Sequence, residues 1–196
     1  MTTTSLRSQR LNQVTHAPHS ELDALVKSHT PFDSRESFAR FVVAQYLFQS
    51  ELKALYNDPK LIALFPDLAA RCRAEQARLD LADLDTEVPA PVPGALHNPS
   101  LGQALGWIFV SEGSKLGAAF LIKRAVALEL SERFGARHLG EPEGGRAEGW
   151  KQFTRILDSL ALSPEEDAAA ERGAVEAFER FTELLKHAYA ADAALA

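Results

Sequence analysis

His19 is the residue best placed to do chemistry in this sequence. Pro18 suits a first helical turn with Thr15, His16 or Ala17 near the cap, so His19 shares a helix face with Leu22 and Val26. A neutral imidazole beside apolar side chains is a good ligand for iron. The blander reading is a partly buried histidine bonded to backbone, and this residue alone does not separate the two. Lys27 lies two turns further on near the same face, where it could pair with a ligand carboxylate or simply be solvated. His16 and His19 also form an i, i+3 pair that could bind zinc. That reading has little behind it, because His29, His97, His138 and His187 are isolated and no second Cys/His pair has structural-zinc spacing.

A second feature needs a physical cause. Gly102, Gly106, Gly113 and Gly117 sit in the most hydrophobic stretch of the chain and, on a helix, fall within an arc of roughly 60°. Each interior glycine costs about 1 kcal/mol relative to alanine, so something must approach that backbone closely. Phe109, Phe120 and Arg124 share the face. One candidate occupant is another helix packed through small-xxx-small contacts. The other is a flat, apolar, anionic ligand. With a helix-borne histidine, and with Lys27 and Arg124 as cations at the two ends of the groove, haem held between two helices is the better reading.

The elements that must position these residues are helices. Apolar periodicity predicts them at 5–14, 18–28, 35–56, 67–84, 99–130, 146–160 and 164–189, and no stretch alternates with period two. An all-α, single-domain fold over residues 1–196 follows, its first few residues and 190–196 frayed. Alternating prolines in 85–94 mark an extended connector, and 134–145 ends with turn composition. A chain of 196 residues, 46% hydrophobic, suits one substantial core. A net charge of −6 without a basic cluster disfavours nucleic acid. Cys72 is the lone cysteine, so no disulfide framework or CxxC motif exists. Neither a signal peptide nor an uninterrupted apolar run of membrane-spanning length is read, which predicts a cytoplasmic protein without membrane insertion. Glu-x-x-His pairs, HExxH, a P-loop, a Rossmann fingerprint and GxSxG are missing, and Ser111-Glu-Gly-Ser114 lies mid-helix rather than at a strand-to-helix elbow.

The run from Ala104 to Phe120, ALGWIFVSEGSKLGAAF, resembles the distal helix of bacterial haem oxygenases. Leu6-Arg-Ser-Gln-Arg-Leu-Asn12 followed by Pro18-His19 resembles their proximal region. The stretches 38–49 and 134–145 also look like the family, above all its Pseudomonas-type iron-acquisition members. The resemblance spans nearly the whole chain and implies a haem-oxygenase-like helical fold with haem between a proximal and a glycine-rich distal helix. It implies His19 as the axial iron ligand, Gly113 and Gly117 lining the side where O2 binds, and Arg73 at a distal water network. Asn12, Lys27 and Arg124 would hold the haem propionates, with Phe109 as a wall. Arg124 stands where relatives carry lysine, a change that alters the geometry of a propionate contact.

Haem would then be both cofactor and substrate, opened at a meso carbon to biliverdin, carbon monoxide and iron. Asn12 and Phe109 resemble the subgroup that cuts at the β or δ edge. Electrons would come from a separate reductase or ferredoxin, since the chain has no flavin or iron–sulfur motif, and the protein would be a monomer. Competing readings are a haem carrier or sensor without turnover, a helical interaction protein whose glycine stripe receives a partner helix, and, within the enzyme class, biliverdin supply to a phytochrome. A carrier is often closed by a second ligand. No obvious distal histidine or methionine stands out here, and the one methionine is Met1.

Overall fold

The computed structural model describes residues 5–94 and 96–190. These form eight α-helices, α1 (Arg7–Val14), α2 (His16–Ser28), α3 (Arg35–Tyr56), α4 (Pro59–Leu64), α5 (Ala74–Asp83), α6 (Leu101–Ala125), α7 (Arg146–Ser159) and α8 (Pro164–Ala190), with short 3-10 turns between some of them. Extended pairing among the described residues is limited to isolated bridges from Ser131 to Phe134 and Gly135, so the fold is all-α as the periodicity predicts. Residues 1–4 and 191–196, where fraying is expected, lie outside the described residues, and Ala190 closes α8 as helix.

The helix starts follow local chemistry. Ser34 Oγ accepts the Ser37 N–H to cap α3, Asp58 caps α4 with Pro59 at its first position, and Ser100 Oγ caps α6 through the Gln103 N–H. The predicted helix 67–84 is interrupted. A 3-10 turn, Leu68–Arg71, leads to an extended Cys72, and α5 starts only at Ala74. The break has a tertiary cause: the Arg73 N–H, free of any helical partner, donates to Gln49 Oε1 on α3 at 3.1 Å. Helix α4 was not predicted. It is a single turn and a half whose signal is only its cap and proline.

Helices α6 and α8 form the central pair, and glycine sets their separation. A Cβ on Gly102 would run into the Glu166 carbonyl, one on Gly106 into the Ala170 carbonyl, and one on Gly173 into the Gln103 carbonyl. The Glu166 carboxylate also reaches across to accept the Gly102 N–H at 2.5 Å and the Ser100 hydroxyl at 3.0 Å. The buried rings of Phe38, Phe41, Tyr56, Phe65 and Phe153 belong to the same hydrophobic core.

Residues Leu101–Leu128 have the length of a membrane span and contain an 18-residue stretch of mean hydropathy 1.3, 44% of it buried inside the protein, but Glu112 and Lys115 interrupt the apolar run, as the sequence expects. Its apolar side chains meet α7, α8 and a cavity, and it carries Glu112 and Lys115 at its middle, as suits the core helix of this fold.

Helix α1 is latched in place by polar contacts. The buried Arg7 guanidinium donates to the Leu157 and Leu160 carbonyls and pairs with Asp167 at 2.6 Å, while Ser8 donates twice to the Asp158 carboxylate, each at 2.7 Å. Because α2 follows after the single residue Thr15, this latch also places His19.

Candidate functional site

An apolar cavity of about 500 Å³ opens between α2, α3, α6 and α8. That size falls within the range typical of small-molecule sites. His19, Leu22 and Val26 line it from α2, Phe41, Phe48 and Gln49 from α3, and Phe178 and Phe181 from α8. Helix α6 contributes Phe109, Gly113, Gly117 and Leu121.

No residue of α2 is fully buried, although its Leu22, Leu25 and Val26 pack partly against the core. That partly buried face borders the cavity. The His19 ring is 64% exposed, lies 5.6 Å from the Phe178 ring, and has Asp23 Oδ1 3.8 Å from its Nε2. At that distance there is no hydrogen bond, so Asp23 does not occupy Nε2.

The glycine stripe divides into two halves. Gly102 and Gly106 serve helix packing, the alternative weighed from sequence. Gly113 and Gly117 face the cavity: a Cβ on Gly117 would meet nothing within 4 Å, and one on Gly113 would stand 3.5 Å from the Trp150 ring. The buried Phe109 ring packs 5.2 Å from Trp150 and forms part of the wall.

Asn12 lines the cavity as well. Lys27 and Arg124 are exposed in the last turns of α2 and α6 and are not among the lining residues. The Arg124 guanidinium sits 4.4 Å over the Phe32 ring. Phe120, expected on the groove face, is 73% exposed and outside the cavity lining. It lies on the edge of that face and is turned to solvent, while its neighbour Leu121 still lines the cavity.

Arg73 is neither a surface arginine nor free to swing. Its guanidinium donates to the carbonyls of Arg137 at 3.4 Å, His138 at 3.0 Å and Gly140 at 3.0 Å, which pins the turn Arg137–Leu139 to the cavity wall. Burial, and then the nearby Arg146 charge, lower its pKa from the usual arginine range.

Arg73, Lys115 and Trp150 also line a second, polar cavity of about 670 Å³, bounded by the 140–145 loop and the start of α7. Glu112 borders it and is almost fully buried. One carboxylate oxygen accepts from Lys115 at 2.6 Å and Tyr56 at 2.8 Å, the other from Arg71 at 3.0 Å. Burial lowers the Lys115 pKa, against the opposing pull of Glu112.

Sequence reasoning passed over this polar cluster and over the buried pair His138 and Asp80, whose Nδ1 and carboxylate lie 2.8 Å apart. The signal for the first was present: Ser111 and Glu112 interrupt the most apolar helix, and a charge in such a place is buried only if paired.

Fold and cavity together define an all-helical protein with an apolar cavity between an imidazole-bearing helix and a glycine-backed one. The sequence model of the heme oxygenase family matches residues 6–187, so the chain belongs to the haem oxygenase family and is an oxidoreductase of that class. It is 58% identical over 187 residues to heme oxygenase PigA of Pseudomonas aeruginosa, covering 95% of this chain and 94% of that protein. Among solved structures it is similar to the NO- and CO-bound heme oxygenase from Neisseria meningitidis, with a TM-score of 0.88, 36% identity and coverage of 94% and 92% of the two chains.

Proposed function

We propose that this chain, one haem oxygenase domain over residues 1–196, opens haem to biliverdin, carbon monoxide and iron, with His19 as the axial ligand, and that the reaction releases iron from acquired haem. The observation that carries the reading is the cavity itself, which joins an uncommitted imidazole on α2 to bare helix backbone at Gly113 and Gly117. Bound haem supplies the iron at which O2 is reduced. The protein's own part is to hold and to exclude. Leu22, Val26, Phe41 and Phe181 line the cavity with apolar surface and would exclude water from a ring held there, and Gly117 leaves room for a small ligand that a side chain would block.

Asn12, Lys27 and Arg124 are assigned to the propionates. Lys27 and Arg124 flank the helices that border the cavity, and their long side chains can turn towards an anion at its mouth. Asn12 and Phe109 favour cleavage at the β or δ edge. Arg73 fixes the backbone that borders the distal water, and protons arrive through that water. Electrons come from a separate reductase or ferredoxin. The protein acts as a cytoplasmic monomer, without membrane insertion.

The test is to add haem to the purified protein, record the spectrum, supply ascorbate or a reductase in air, and identify the bilin by chromatography. A Soret band that decays to biliverdin, and is lost or fails to turn over in His19→Ala, supports the enzyme and reports the isomer. A stable band without bilin favours a carrier or sensor. No band at all returns the glycine stripe to helix packing alone. Gene neighbourhood separates iron release from biliverdin supply to a phytochrome.

A further inference from the structure

The two cavities are joined by a row of buried side chains whose hydrogen bonds all point one way. The direction is fixed at one end by backbone. The Arg73 N–H can only donate, so the Gln49 atom 3.1 Å away is the carbonyl Oε1, and the amide Nε2 must face Ser111. Gln49 Nε2 then donates to Ser111 Oγ at 2.9 Å. At the other end, Glu112 is a carboxylate held between Lys115 and Arg71 and can only accept. The Tyr56 hydroxyl therefore donates to Glu112 Oε1 at 2.8 Å, which leaves its oxygen to accept from Ser111 Oγ at 2.7 Å. Each hydroxyl proton has one place to go. The row runs from the Gln49 amide through Ser111 and Tyr56 to the Glu112 carboxylate.

Ser111 and Tyr56 are fully buried and Gln49 and Glu112 nearly so, so water does not compete for these bonds. Burial, with the Glu112 charge behind it, raises the Tyr56 pKa well above the ordinary tyrosine value and keeps its proton in place. Gln49 lines the apolar cavity, and its second Nε2–H is the one polar hydrogen in the row that nothing takes up. Successive hydrogen bonds to an anion polarise one another, and the effect reaches the amide at the cavity end.

We propose that Tyr56 and Glu112 are positioning residues that hold Gln49 as a hydrogen-bond donor to a small ligand bound in the apolar cavity. The inference rests on the haem reading only for the identity of that ligand's partner. The orientation of the amide belongs to the protein alone. Glu112→Gln is the sharpest perturbation. A neutral amide in place of the carboxylate lets the row reverse, and a reversed row asks Gln49 to present its oxygen to Ser111, in conflict with the Arg73 N–H.

The first readout is the side-chain amide pair of Gln49 in 15N-labelled apo protein, assigned by its loss in Gln49→Leu. Tyr56→Phe and Glu112→Gln should each speed its exchange with solvent by at least about tenfold. Ser111→Ala, a small change in a helix, serves where either of those fails to fold. The second readout is azide affinity of the haem-loaded ferric protein, which should fall about tenfold in the same variants, the loss of roughly one oriented hydrogen bond. A Gln49 amide indifferent to these changes overturns the proposal, as does an azide affinity that stays put once the amide is released. A protein that shows no Soret band sinks the haem reading instead, and the apo amide measurement still decides the orientation.

Discussion

Gly106 and Ala174 meet backbone to backbone across the α6–α8 seam: a Cβ on Gly106 would stand 2.6 Å from the Ala174 nitrogen. Neither main chain can give way without moving a helix. Gly106→Ala should therefore cost about 1–3 kcal/mol, the range for overpacking a filled core, and lower the thermal midpoint by several degrees. Gly117→Ala makes the opposite case. Its Cβ meets nothing within 4 Å, so the apo protein should gain about 0.5–1 kcal/mol from helix propensity while haem affinity falls. Thermal melts with and without haem separate the two. Equal destabilisation of the apo protein by both substitutions would refute the division of the stripe.

Arg73→Lys keeps the charge and loses the fork. One ammonium cannot reach the three carbonyls of Arg137, His138 and Gly140 that the guanidinium spans. The variant should lose roughly 1.5–3 kcal/mol and show faster amide exchange confined to residues 137–140 and their neighbours. Exchange left unchanged in that turn would mean that Arg73 does not hold the wall.

The sequence made the longer helices legible because each turns an apolar stripe towards the core, and 35–56 and 146–160 were read nearly to the residue. The glycine stripe was legible as a demand for close approach, but its division was not. Periodicity places Gly102 and Gly117 on one face without showing that α8 covers one end and leaves the other open. Arg73 shows the same limit from the other side. The sequence continued a helix through it, and the break exists because Gln49, on another helix, competes for its N–H. Contacts such as Tyr56 to Glu112 are pairings between helices, which no spacing within one helix can reveal.

Tyr56 gives the protein an alkaline weakness. Its pKa is raised in the fold, first by burial and then by Glu112, so the folded state keeps a proton that the unfolded chain releases near pH 10. The unfolded state binds fewer protons above that pH. Stability is then fully present below about pH 10 and declines as pH rises towards the folded pKa. Chemical denaturation at pH 8, 10 and 11 should show the decline, and Tyr56→Phe should flatten it while lowering stability at pH 8. A variant that loses stability in parallel with the parent at every pH would assign the weakness to other groups.

Trp150 stands with Arg73 and Lys115 between the apolar cavity and the polar one, and its ring packs 5.2 Å from Phe109 and 5.9 Å from Phe153. Trp150→Ala removes that partition. The apolar cavity then opens towards the polar one, with its Arg71 and Arg146, and water can enter it. Because the ring is only half-buried, the stability cost should sit near the low end of large-to-small substitutions, about 2–3 kcal/mol. The larger effect should be on retention: haem transfer to an excess of apomyoglobin should speed up about tenfold. Trp150→Phe, which keeps a ring in the gap, should recover most of that loss. If alanine and phenylalanine release haem at the parent's rate, the partition lies elsewhere, and Phe109 alone forms that side of the wall.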